Sequence, residues 1–131
     1  MPRFVIDAGV LLHLAERGLK PAPGNELLAP TLIRSEVLSR LHEAVHRGEL
    51  PDDVARARLE VIWRLRIRLL GDAVLRRRAW DLATRFGWAS THRAEYVALT
   101  QLQGDALVTL DEELARAVDG VVQLATIGDL T

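Results

Sequence analysis

Residues Ser90 to Asp111, STHRAEYVALTQLQGDALVTLD, decide the fold. Ala94, Val97, Ala98, Leu99 and Leu102 recur at helical spacing, and Gly104-Asp105 is a turn signal. Ala106 to Leu110 is a short apolar run rich in β-branched residues, the pattern of a buried strand. A helix therefore feeds a strand, and that strand delivers Asp111 to its carboxyl end, the edge where open α/β sheets place their functional groups.

Working back from this unit, Phe4-Val5-Ile6 within Met1 to Asp7 is a continuous apolar run suited to a strand buried on both faces, and Asp7 closes it. Val10 to Glu16 has helical spacing and ends in the Gly18 to Gly24 loop, which contains Pro21 and Pro23. Leu27 to Ala29 is compatible with a brief strand. Pro30 and Thr31 open a helix carrying Leu32, Ile33, Val37, Leu38, Leu41 and Val45 on one side and stopping at Gly48. Pro51 with two aspartates after it starts another helix, running to about Trp63. Arg66 to Leu70 alternates charged and apolar residues and is read as an extended link. Asp72 is placed to cap a helix whose face of Val74, Leu75, Ala79, Leu82, Ala83 and Phe86 ends near Gly87. Beyond Asp111 a helix to Val118 precedes a last strand, Val121 to Ala125. Strands near the start, residue 106 and residue 121, separated by helices, predict an α/β fold with a mostly parallel sheet.

The 131 residues suit one domain over 1–131, and no run approaches the roughly 20 apolar residues of a membrane span. Without cysteine there is no disulfide framework and no thiolate metal site, which suits a cytoplasmic protein. The 17 Lys and Arg against 18 Asp and Glu give no overall nucleic-acid footprint. Arginine is nevertheless concentrated in the middle third, at 56, 58, 64, 66, 68, 76, 77, 78 and 85, either as solvated helix faces or as a phosphate-contacting patch.

Three acids stand out by position. Asp7 and Asp111 each follow a buried strand and would share one sheet edge; each could equally be a helix N-cap. Glu36 borders the buried stripe of its helix. Clustered carboxylates repel unless a cation or proton is shared, and an all-oxygen set favours Mg²⁺ or Mn²⁺ over zinc. Phosphodiester hydrolysis is the chemistry such a site supports. Thr109, two residues before Asp111, has a hydroxyl placed to orient a water or a carboxylate.

The opening FVIDAGVLL, the SEV of the second helix, AEYVALT and LVTLD together resemble the PIN-domain ribonucleases, and in particular the VapC-type toxins of toxin–antitoxin modules. The resemblance spans nearly the whole chain. It implies a PIN-like α/β/α sandwich and a Mg²⁺- or Mn²⁺-dependent endoribonuclease acting on RNA. It also implies a homodimer inhibited by a cognate VapB-like antitoxin, with Asp7, Glu36 and Asp111 as catalytic and metal-binding acids.

One family acid is missing. The position before AEYVAL, normally Asp and often preceded by Tyr, is Arg93 here, after His92. A cation in the first turn of a helix is disfavoured by ~0.3–1 kcal/mol. Glu95 is no substitute, because two helical positions turn its side chain by about 200°. Arg93 has three readings: neutralising the acids in place of a metal, contacting RNA phosphate, or standing as an incidental surface residue. The alternative to an active nuclease is an impaired PIN-fold module that binds antitoxin or RNA without cutting. A phosphate-accepting receiver domain would need a late lysine, and the only lysine is Lys20. His13, His42 and His46 are read as surface residues, and Trp63, Trp80 and Trp88 as core or dimer contacts in preference to base-stacking platforms.

Overall fold

The computed structural model describes residues 1–131. Strands β1 (Arg3–Ile6), β2 (Glu26–Pro30), β3 (Ile67–Leu70), β4 (Ala106–Val108) and β5 (Leu124–Ala125) form one sheet in the order β3-β2-β1-β4-β5. Every neighbouring pair is parallel. The helices are α1 (Ala8–Arg17), α2 (Leu32–His46), α3 (Asp52–Arg64), α4 (Ala73–Phe86), α5 (His92–Gln103), α6 (Glu112–Ala117) and α7 (Ile127–Leu130). Phe4, Val5 and Ile6 of the central strand are all buried, as a parallel strand covered on both faces requires. The expected α/β/α architecture is present, with a sheet that is wholly parallel.

The chain leaves β1 towards β2 on one side and later returns to β4 on the other. The carboxyl ends of β1 and β4 thus flank a topological switch point, where the crossovers diverge and leave a crevice. Helix α5 packs on β1, β2 and β4, burying Ala94, Tyr96, Val97, Ala98, Leu99 and Thr100. It ends at Gly104, whose φ of −95° suits any residue. What Gly104 supplies is space: a Cβ there would meet Val5 Cγ2 at 2.8 Å. Gly104→Ala should therefore cost about 1–3 kcal/mol through overpacking. Urea unfolding would show this as a lower midpoint, and an unchanged midpoint would mean that α5 and β1 separate freely.

Several sequence expectations need correction. Arg66 to Leu70 contributes a true strand, because Ile67 to Leu70 pair with Leu27 to Pro30. Its position at the sheet edge explains the charged alternation: Arg68 stays exposed, 3.6 Å from Glu26. β4 stops at Val108, so Thr109 and Leu110 lie in the turn before α6. The last strand shrinks to Leu124–Ala125, preceded by an isolated bridge between Asp119 and Val122. Leu38 and Val74, placed on buried faces from sequence, are half exposed. Trp80 is 69% exposed and Trp63 also lies open, so neither is a core residue; Trp88 is partly buried and stacks on Phe86. The short α7, closed by a capping box between Thr126 and Asp129, is an element that the apolar pattern does not predict.

Candidate active site

Asp7 leaves β1 in extended conformation, and its Oδ1 accepts the Val10 N–H at 3.0 Å, capping α1. Its Oδ2 accepts a hydrogen bond from the Thr109 hydroxyl. The same Thr109 oxygen accepts the Asp111 N–H at 3.0 Å, so one side chain ties the end of β1 to the segment after β4. Asp111 in turn caps α6 by accepting the Leu114 N–H at 3.1 Å. The cap and site readings of these two aspartates are therefore compatible: one oxygen of each starts a helix, and both residues line one cleft.

Glu36 enters the cleft from α2. Its Oε1 accepts a hydrogen bond from the Tyr96 hydroxyl on α5, and its Oε2 lies 4.0 Å from Arg40 Nη2. Arg93 Nη2 is 3.2 Å from Asp111 Oδ2, and its Nη1 is 3.9 Å from Glu113. The cleft, of about 350 Å³, is lined by Asp7, Glu36, Asp111, Arg40, Arg93 and Tyr96, with Ala8, Gly9, His92, Leu110 and Leu114 completing its walls. Every carboxylate oxygen of the three acids thus faces a donor or cation from the chain itself.

Burial is the main influence on Asp7 and raises its carboxyl above the ordinary range, against the bonds from Thr109 and Val10 that favour the charged form. Burial, then the bond to Glu36, pushes the Tyr96 phenol far up, so it serves as a neutral hydroxyl donor. Glu95 is outside the cleft lining, as its helical position predicted, and burial raises its carboxyl too.

The donor set is all carboxylate, which suits Mg²⁺ or Mn²⁺. No three acid or histidine side chains converge closely enough to hold one ion, however, and two guanidiniums offset part of the charge. Of the three readings of Arg93, the pairing with Asp111 fits the first, although Arg93 does not reach Asp7 or Glu36.

All three acids named from sequence, with Thr109 and Arg93, meet at this cleft or brace it. Arg40 and Tyr96 were missed as site residues. Arg40 carried a signal, since Glu36 and Arg40 are spaced i,i+4 on one helix. Tyr96 carried none of that kind, because it meets Glu36 across 60 residues of sequence. His13, His42 and His46 do not line the cleft.

No family model matches the chain. The fold is similar to that of PAE2754 from Pyrobaculum aerophilum, with TM-score 0.73 and 20% identity over 97% of this chain and 90% of that one. It is also similar to a chain in the structure of VapBC2 from Rickettsia felis bound to a DNA fragment from their promoter. There the TM-score is 0.66, with 11% identity over 95% of this chain and 98% of that one. In sequence, the chain is 30% identical to ribonuclease VapC3 of Pyrobaculum aerophilum over 131 residues, 92% of this chain and 98% of that protein. With the relationship extending over nearly the full length of both proteins, the chain belongs to the VapC-type PIN-domain ribonuclease family.

Proposed function

We propose that this protein is a VapC-type toxin, an endoribonuclease that hydrolyses RNA phosphodiester bonds and works below its family's usual strength. The observation that carries this reading is the meeting of Asp7, Glu36 and Asp111, from three separate parts of the chain, around one cleft at the sheet's switch point. These three residues would hold Mg²⁺ or Mn²⁺ only once the cation displaces Arg93 from Asp111 and draws the carboxylates closer together than they stand here. The bound ion would polarise a phosphoryl oxygen and acidify the attacking water. Family membership and the VapBC2 structure of similar fold support a VapB-like antitoxin as partner, and a homodimer is the assembled form that the reading adds.

The chain's own groups have separable tasks. Thr109 and the Val10 N–H fix the Asp7 carboxylate, while Tyr96 fixes that of Glu36. Arg40 and Arg93 bring cationic groups to the mouth of the cleft, where an RNA phosphate would meet them. Arg93 also competes with a metal cation for Asp111, which is the source of the reduced activity.

Incubating the purified protein with a synthetic RNA should produce internal cuts that require Mg²⁺ or Mn²⁺ and stop on addition of EDTA. Internal cutting that persists in EDTA would remove metal dependence from the proposal. RNA left intact in millimolar Mn²⁺ would favour the impaired, binding-only module.

A further inference from the structure

The outer face of α4 belongs neither to the core nor to the cleft. Leu75, Ala79, Leu82 and Ala83 bury one stripe of this helix, and Arg77 and Trp80 point away from it. Trp80 is 69% exposed, with Arg77 three residues and Arg76 four residues before it on neighbouring helical positions. Both arginines are exposed, and neither makes an ion pair; Asp81, one turn after Arg77, leaves it unpaired.

An open indole beside exposed guanidiniums has the chemistry that single-stranded nucleic acid requires: a flat apolar surface for a base and cations for the adjacent phosphates. A symmetric pairing of two copies through the same face would oppose arginine to arginine, which RNA does not. The location is also suitable. Helix α4 packs on α5, whose first residues His92 and Arg93 line the cleft.

We propose that Arg76, Arg77 and Trp80 form a binding face for single-stranded RNA, holding the substrate on α4 beside the cleft. This rests on RNA being the substrate. The face supplies affinity and leaves bond cleavage to the carboxylate site.

The test is fluorescence anisotropy with a labelled single-stranded oligoribonucleotide in EDTA, so that binding is read without cutting. Trp80→Ala should weaken binding roughly 10-fold, and Trp80→Phe, which keeps a ring, should restore part of it. Arg76→Ala combined with Arg77→Ala should flatten the dependence of log Kd on log salt by about 1.4, roughly 0.7 for each phosphate no longer neutralised. Affinity and salt slope unchanged in all these variants, with circular dichroism showing intact folds, would overturn the proposal. So would Trp80→Ala splitting a dimer in sedimentation with no loss of RNA affinity, which would make the face a contact between copies. A wild type that binds RNA through Trp80 but never cuts it leaves the surface standing and removes the endoribonuclease. Cutting by the wild type with undiminished binding by Trp80→Ala does the reverse.

Discussion

Asp7→Asn is expected to lower RNA cleavage by roughly 100-fold or more, the scale of losing one group that stabilises developing charge. The same change should leave the fold almost untouched. Asparagine is as good an N-cap as aspartate, so its side-chain oxygen can still accept the Val10 N–H and start α1. The amide can also remain within hydrogen-bonding distance of Thr109, whose hydroxyl rotates to suit its partner. What disappears is the negative charge at the end of β1. Burial already disfavours that charge, so its removal should shift stability by no more than about 1 kcal/mol. Measuring Tm and initial cleavage rate on the same preparation separates the two roles. Near-normal cleavage by Asp7→Asn would reduce Asp7 to a helix cap.

Arg93→Asp should act in the opposite direction. Among the cleft residues, three carboxylates against two guanidiniums leave one net negative charge; the replacement leaves three. A divalent cation should therefore bind more tightly, with the Mn²⁺ concentration for half-maximal cleavage falling about 10-fold, equivalent to ~1.4 kcal/mol of binding. The change also removes the competitor 3.2 Å from Asp111. Without metal, the new carboxylate faces Asp111 and Glu113 and its repulsion offsets the gain from placing an acid in the first turn of α5. Added Mn²⁺ should consequently raise Tm more in the variant than in the wild type. Identical Mn²⁺ responses in cleavage and in Tm would show that Arg93 has no hold on the metal site.

What was legible in the sequence followed from local rules. The apolar runs at Phe4-Val5-Ile6 and from Ala106, and the Asp72 cap confirmed by its bond from the Leu75 N–H, depend on residues within a few positions of one another. β3 was illegible because an edge strand tolerates the charged alternation that also marks a linker. Leu38, Val74 and Trp80 show the converse limit: an apolar letter at helical spacing does not reveal whether another element covers it. At the cleft, the acids could be picked out because each follows a readable strand or helix signal. The Tyr96 bond to Glu36 could not, since it exists only after α2 and α5 have been brought together by the sheet.

The strand order has a consequence in time as well as in space. β1 lies at the centre of the sheet, yet Phe4 finds its β4 partner only at Ala106. Such distant pairing incurs its chain-closure entropy before any stabilising interaction forms, and synthesis delivers the N-terminal partner first. Asp7 therefore leaves the ribosome long before Asp111 and Thr109 exist to meet it. A nascent chain holds an unfinished site until Thr109 and Asp111 have been made, and any nuclease activity must await their emergence.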